Sequence, residues 1–386
     1  MPLKILINGV TLDPANITPL LINIKYWQNH NCQITIVGNR LLKKNIIDKK
    51  IIKSFGYINL DENSKIDSKL KFIFIGIKRN LKLIKNIKNF INKYSIVHSR
   101  SSVLDLIIFP YFLKSFDKKI KWTTVFDNVV PFTDPGNKFI RLLAWLFFLI
   151  TVLLIKKADI IFVVNPDLKS FLIKHGFDSN KIFLTGNAVH NKYITAAKYN
   201  KDNSYDAIFL GRINETKGIY DMLKVLKIIT NTIPQFKLAL IGPGDKTSIK
   251  QFKEKIKEDR LTKNVKLLGW VSEKEKYSIL KSSKIFIFLS KSKCESFGIA
   301  LLEAVCSGKP TFVYNLPIYK YIYKNNEINI FKIGDIDSVA ASILNVFKKK
   351  QFENKNGKKL LGKYTWEAIA KIEYEIFKKL LKNETS

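Results

Sequence analysis

The stretch Cys294 to Pro317 reads C-E-S-F-G-I-A-L-L-E-A-V-C-S-G-K-P-T-F-V-Y-N-L-P. An apolar run, Ile285 to Leu289, precedes it and has the look of a buried strand. A polar loop, Ser290 to Glu295, follows the run. The pattern then predicts a helix that starts near Ser296 or Gly298 and runs to Cys306, with Gly308 past its end and Pro310 as a stop. Thr311 to Tyr314 returns as a strand. This is a strand, loop, helix, strand unit, and such units build open α/β sheets. Their ligands collect at the carboxyl ends of the strands, where helix N-termini point. Glu295 falls at that mouth. Glu303 lies eight residues further on, about two helical turns, so the two carboxylates face the same way about 12 Å apart. That separation is too wide for an acid/base pair acting on one bond. It suits one elongated ligand held at both ends, such as a nucleotide sugar with its diphosphate over the helix N-terminus. The competing reading makes Glu295 an N-terminal helix charge and Glu303 a solvated helix residue.

At 386 residues the chain exceeds one ordinary α/β core, so two domains are expected, and a 46% apolar content supplies their interiors. Three cysteines, Cys32, Cys294 and Cys306, and four scattered histidines show no metal-ligand spacing. They point to a reducing compartment without disulfides. The net charge of +34 comes mostly from lysine. Abundant Lys, Ile and Asn match an AT-rich coding bias, yet such a surface is drawn to anionic membranes and phosphorylated ligands. The lysines are spread along the chain, with no Arg-rich tail or basic-aromatic repeat, so nucleic acid is not expected as a partner. The start of the chain offers no run long enough for a signal-peptide core.

In the first half, strands are expected at Lys4 to Asn8, Gln33 to Val37, Lys71 to Ile75, Ser95 to Val97, Lys121 to Phe126, Asp159 to Val164 and Ile182 to Leu184. Helices are expected at Thr18 to His30, N-capped by Asn16 or Thr18, at Leu81 to Tyr94, and from Asn165-Pro166 to Lys174. A turn is placed at Asp13-Pro14. The alternation implies a Rossmann-like parallel sheet without the G-x-G-x-x-G fingerprint of dinucleotide binding. Asp127 follows a strand end, where function is common, though a turn residue before Pro131 explains it equally. His98 also follows a strand and is more readily structural than catalytic. Phe139 to Ile155 is the most apolar segment, with fourteen uncharged residues from Leu142 to Ile155. It is short of the ~20 needed to cross a bilayer. Being apolar nearly all round, it is read as a helix lying partly in a membrane face, in preference to a wholly buried one.

Lys192 to Tyr205 lacks periodicity and reads as a linker. The second half repeats the α/β pattern. The strand Ala207 to Leu210 runs into G-R-I-N-E-T-K-G, Gly211 to Gly218, and a helix, Ile219 to Ile229. Arg212 and Lys217 beside a helix N-terminus form an anion site suited to a diphosphate. Further strands are expected at Lys237 to Ile241, before L-I-G-P-G-D, and at Val265 to Leu268, before Gly269-Trp270-Val271. Asp335-Ile336-Asp337 is a helix cap before Val339 to Phe347 and not a metal-diphosphate site. Trp366 to Leu381 closes the chain as an amphipathic helix.

These ordered features resemble the retaining, sugar-nucleotide-dependent glycosyltransferases of the GT-B fold, the family 4 (group 1) type. The likeness covers most of residues 95 to 380. C-E-S-F-G-I-A-L-L-E-A-V-C-S-G-K-P fits the family's E-x7-E unit, and G-R-I-N-E-T-K-G its strand-end loop. K-A-D-I-I-F-V-V-N-P-D-L-K-S-F-L-I-K-H-G-F, T-G-N-A-V-H, L-I-G-P-G-D and L-L-G-W-V-S are similar to further family segments. The resemblance implies two Rossmann-like domains with parallel sheets facing across a cleft. They are an acceptor domain, residues 1–195, and a nucleotide-sugar domain, 196–365, with a C-terminal helix, 366–386, returning to the first. It implies that Gly211, Arg212 and Lys217 serve the leaving diphosphate and that Glu295 holds the donor sugar. Backbone N–H groups of Phe297, Gly298 and Ile299 would add phosphate contacts, Glu303 would hold the ribose, and the base would pack near Trp270 and Val271. No metal or cofactor is expected, because cations and a helix dipole stabilise the charge. Asp127 is the catalytic candidate on the acceptor side. Two departures lie there: Phe126 stands where many members have His, and N-G-V-T-L-D replaces the small glycine loop after the first strand. The expected activity is transfer of a hexose from a UDP- or GDP-sugar to a lipid-linked or saccharide acceptor. It would take place on the cytoplasmic face of the cell membrane, with the protein peripheral to it. The alternatives are a non-catalytic sugar-nucleotide-binding assembly protein and a sugar-nucleotide epimerase of the same fold.

Overall fold

The computed structural model describes residues 2–11, 17–61, 69–130, 138–292, 295–324 and 326–382. Two compact units result. The first takes residues 1–187 together with 366–386, and the second takes 188–365.

The first unit holds strands β1 (Leu3–Asn8), β2 (Cys32–Gly38), β3 (Gly56–Asn59), β4 (Ile96–Ser99), β5 (Lys121–Phe126), β6 (Ile160–Val163) and β7 (Ile182–Leu184). Helices α1 (Thr18–Asn29), α2 (Arg40–Lys49), α3 (Lys69–Lys85), α4 (Leu104–Phe116), α5 (Lys138–Ile155) and α6 (Pro166–Lys174) connect them. The sheet order is β3-β2-β1-β4-β5-β6-β7, and neighbouring strands run parallel. β4 and β6 are buried throughout, and so is β5 after Lys121, as a sheet covered on both faces requires. Right-handed crossovers place α3, α4 and α5 on one face of this sheet, and α4 packs against both of the others.

The second unit opens with a short helix, α7 (Asn191–Ala196), within the stretch expected as a linker. It continues as β8 (Ala207–Leu210), α8 (Ile219–Thr232), β9 (Leu238–Ile241), α9 (Lys246–Glu258), β10 (Val265–Gly269), α10 (Glu273–Ser282), β11 (Ile285–Phe288), α11 (Ile299–Cys306), β12 (Thr311–Tyr314), α12 (Tyr319–Ile322), β13 (Asn329–Phe331), α13 (Ile336–Lys349) and α14 (Lys355–Lys359). Its parallel sheet runs β10-β9-β8-β11-β12-β13. The chain enters and leaves this unit side by side, with Val189 bridged to Thr365. The last helix, α15 (Trp366–Lys382), returns to the first unit and packs on α1. Trp27 Nε1 donates to Ala370 O at 3.1 Å, and Asn23 Nδ2 to Glu373 Oε2 at 2.8 Å.

Several expectations need correction. Lys71 to Ile75 is not a strand, and no separate helix runs from Leu81 to Tyr94. Lys69–Lys85 is one helix, with a 3-10 turn at Ile87–Asn89. The apolar density of F-I-F-I-G-I imitates a buried strand, whereas Phe74, Ile77 and Leu81 point outward from a helix. α2 and β3 fall in a stretch where no element was expected. The N-cap of α1 is Ile17 with no side-chain bond, and its first turn is set instead by the proline at N1 or N2. Asn16, Asp13-Pro14 and part of the loop before Glu295 lie outside the described residues. The Asp335 carboxylate accepts from Ser338 N at 3.2 Å, so the Asp335–Asp337 triplet is a helix cap, as expected. Cys32 and Cys306 are free and buried.

Candidate active site

In each unit the strand order reverses beside the first strand, between β1 and β4 and between β8 and β11. That switch point opens a crevice at the carboxyl ends of the strands. In the second unit the loops after β8, β9 and β11 crowd this crevice, and two glycines permit it. A Cβ on Gly218 (φ 75°) would lie 1.8 Å from Leu289 O. One on Gly242 (φ 140°) would lie 1.9 Å from Gly211 O. Both positions need glycine for their backbone angle and for their space.

The closeness has a chemical result. Asn214 accepts the Lys217 N–H at 3.1 Å and shapes the turn Glu215–Lys217. The Lys217 ammonium then reaches Glu295 Oε2 at 2.5 Å. Both side chains are largely buried, at 14% and 12% exposure, so bulk water screens this pair little. Ser290 Oγ lies 3.4 Å from Glu295 Oε2 and from Thr216 O. Lys291 fastens the loop further: its N–H donates to Thr216 O at 2.8 Å, and its ammonium pairs with buried Asp221 at 2.6 Å. Residues assigned to different parts of a donor, Lys217 to the diphosphate and Glu295 to the sugar, are thus bound to one another. Arg212 is exposed on the same loop.

Gly298 (φ 73°) starts α11, so the N–H groups of its first turn lie beyond the helical ladder. Phe297 is buried against Tyr364, and Ile299 is exposed. Glu303 is not a solvated helix residue. It is 6% exposed, and its Oε1 accepts from Lys276 Nζ at 2.8 Å and from Tyr277 OH at 2.6 Å. Burial works against the charge on Lys276, but Glu303 and Glu273 outweigh it, and its pKa is raised. Burial, reinforced by Glu303, pushes the Tyr277 hydroxyl up, so it stays a proton donor. Lys276 and Tyr277 were not anticipated. They come from a helix 26 and 27 residues upstream and carry no local signal. Trp270 stands 69% exposed at the end of β10, with Val271 half-buried beside it. A cavity of about 440 Å³ lies at the other end of α11, walled by Lys281, Lys309, Lys358 and Phe352. Burial, then Lys358 and Lys281, lower Lys309 to about 8. This cavity is not where Lys217 and Glu295 meet.

In the first unit Asp127 follows β5 directly and accepts from Ser101 Oγ at 3.1 Å. Burial raises its pKa, opposed by Arg100 and by the Ser101 bond. Phe126 has no access to a substrate. It is fully buried, its ring stacked on Phe171 at 5.9 Å and tilted against Phe148. His98 is sealed as well, between Trp27, Phe162 and Phe377, with Nδ1 2.9 Å from Thr123 Oγ1. Burial, with Arg100 adding, lowers it to about 3, so it is a neutral core residue. Among the described residues no group of three or more His, Cys, Asp or Glu is arranged to hold a metal ion.

Residues 192–360 match the family model described as "Glycosyl transferases group 1". Over 166 residues the chain is 27% identical to a phosphatidyl-myo-inositol mannosyltransferase of Propionibacterium freudenreichii; the aligned part is 42% of this chain and 40% of that relative. This chain thus matches about two fifths of that relative's length. Sucrose-phosphate synthase of Thermosynechococcus elongatus superposes with a TM-score of 0.74 at 16% identity, over 99% of this chain and 100% of that one. HepE of Anabaena, solved with UDP and glucose, gives 0.72 at 13%, over 97% and 99%. These likenesses show the expected GT-B fold. The likeness to group 1 glycosyl transferases lies within the second unit.

Proposed function

We propose that the protein is a retaining glycosyltransferase of the family 4 type. It moves a hexose from a UDP- or GDP-sugar to a lipid-linked glycan or polysaccharide precursor of the cell envelope. The observation that carries the reading is the buried Lys217–Glu295 pair, joined across two strand ends at the switch point. A diphosphate at the N-terminus of α11 draws on Lys217 and Arg212, and Glu295, relieved of its partner, accepts hydroxyl hydrogens from the sugar. The helix dipole and the two cations stabilise the departing phosphate, with no step assigned to a metal. Glu303, fixed by Lys276 and Tyr277, holds the ribose, and the base lies near Trp270 and Val271. Asp127, its carboxyl raised by burial, receives or steers the acceptor's proton. The similarity to a phosphatidyl-myo-inositol mannosyltransferase and the outward apolar face of α5 support a lipid acceptor and a peripheral place on the cytoplasmic membrane face.

Glu295→Ala tests the reading. Transfer of labelled sugar from a panel of nucleotide sugars should fall by at least about 100-fold, as for loss of a transition-state contact, in a chain that circular dichroism shows to be folded. Unchanged transfer in that variant refutes the role, and an inverted anomeric signal in the product's proton spectrum refutes retention. Donor binding without turnover on any acceptor would favour a non-catalytic binding protein.

A further inference from the structure

The face of the first unit built from α3, α4 and α5 carries more apolar surface than its core accounts for. Along α5, only Thr151, Val152 and Ile155 are buried among residues 141–155. Leu142, Leu146, Leu149, Ile150 and Leu153 are exposed, the last at 67%. Their spacing is that of one helix face. On α3 the residues Phe74, Ile77 and Leu81 form a second outward stripe, Phe74 being 68% exposed. Phe112 and Phe116 add a third on α4, which packs between the other two. All three helices lie on one side of the sheet, so the stripes share one surface. An exposed apolar surface of this extent marks an interaction site.

Charge identifies the occupant. α3 (K-L-K-F-I-F-I-G-I-K-R-N-L-K-L-I-K) and α5 (K-F-I-R-L-L-A-W-L-F-F-L-I-T-V-L-L-I) contain no Asp or Glu. Exposed Lys71, Lys78, Lys82 and Lys85 flank the α3 stripe, and Lys156 and Lys157 follow the end of α5. An apolar surface rimmed by cations of one sign repels a second copy of itself and fits anionic head groups over acyl chains. No helix among the described residues is long and apolar enough to cross a membrane, so the contact lies along the surface.

We propose that α3, α4 and α5 together form a docking face for an anionic lipid bilayer, with Phe74 and Leu153 entering the acyl boundary and the α3 lysines meeting the head groups. The inference rests on the membrane-face action proposed above and extends it from one helix to a three-helix plane. It also bears on how a lipid-linked acceptor arrives. α4 starts at Leu104, just past the β4 end that carries Arg100 and Ser101. The inner side of α5 packs through Phe148 on Phe126, next to Asp127. A lipid lying against the N-terminal ends of these helices therefore brings its head group to the edge of the sheet that presents Asp127.

The test is co-sedimentation of the full chain with mixed phosphatidylglycerol–phosphatidylcholine vesicles and with phosphatidylcholine vesicles alone, at low and high salt. The wild type should bind the anionic vesicles and keep part of that binding at high salt. The double variant Phe74→Asp/Leu153→Asp replaces two exposed side chains, so its thermal melt should be unchanged. Its partitioning should fall by about tenfold or more, the loss of two buried apolar side chains. Equal sedimentation of variant and wild type overturns the proposal, as does wild-type binding that vanishes completely with salt. A wild-type dimer in light scattering that the double substitution dissolves overturns it too, assigning the face to a second copy. Sugar transfer to a soluble acceptor, measured on the same two proteins, should not differ. Vesicle binding without any transfer leaves the docking face standing and removes the enzymatic reading, and transfer without vesicle binding does the reverse.

Discussion

Glu373 offers a stability test worked from geometry. It sits on α15 at 1% exposure, facing α1. Asn23 Nδ2 donates to its Oε2 at 2.8 Å, while the buried Oδ1 of Asn23 has no hydrogen-bond partner among the described residues. Burial raises its pKa from 4.5 to about 7, against the smaller lowering effects of Arg100 and Asn23. Between these values the folded chain holds a proton that the unfolded chain has released. Stability from this group is therefore full below pH 4.5, falls as pH rises through about 7, and is level above that. At about 1.36 kcal/mol per pH unit, the interval amounts to about 3 kcal/mol. Glu373→Gln cannot ionise, and its amide can accept from Asn23 Nδ2 and donate to Asn23 Oδ1. The variant should match the wild type near pH 4.5 and exceed it by about 3 kcal/mol at pH 8. Urea melts followed by tryptophan fluorescence read this well, since Trp27, Trp122, Trp145 and Trp366 all lie in the first unit. Parallel curves for variant and wild type across that pH range would refute the reasoning.

Other substitutions probe the second unit. Lys217→Met removes the partner of Glu295 and a cation for the diphosphate; donor affinity measured by calorimetry should fall about 10- to 100-fold, matching about 1.5–3 kcal/mol for charge-assisted bonds. Gly218→Ala puts a methyl 1.8 Å from Leu289 O at a left-handed backbone position. It should cost more than about 2 kcal/mol in a chemical melt and abolish donor binding, because both loops must part. Tyr277→Phe, which deletes one of the bonds to Glu303, should cost about 1 kcal/mol. Lys276→Met should cost about 3 kcal/mol, because it leaves the buried Glu303 carboxylate short of a counter-charge. Equal costs for the two would show that the ammonium is not what offsets the burial of Glu303.

Legibility followed local pattern. β8, β12 and the Gly298 start of α11 fell where the apolar runs and glycines placed them. Short stretches between turn residues carry a strand's signal whatever packs on them. α3 was misread for a related reason. Period alone separates a strand from a helix only when the outward residues are polar, and here Phe74, Ile77 and Leu81 are not. The same outward apolar residues supply the α3 part of the proposed docking face. Glu295, Lys217 and Glu303 were visible by their spacing from strand ends, but not the bond between the first two or the burial of the third. Those follow from carbonyl approaches at Gly218 and Gly242 and from a helix 26 and 27 residues away. Phe126 was expected where an acceptor is handled. Its stacking on Phe171 makes it core, because α5 and α6 cover the sheet face there.

The return of α15 sets an order of events during synthesis. Residues 188–365 are contiguous, and Val189 and Thr365 bridge at their base. This unit can complete itself while the ribosome is still adding residues. The first unit, though translated earlier, waits: Trp27 lacks its acceptor at Ala370 and Asn23 its partner Glu373 until the last helix emerges. Domains usually finish in the order in which they are made. Here the unit translated first closes after the unit translated second. Until α15 docks, Trp27 and Asn23 on α1 lack these two bonds.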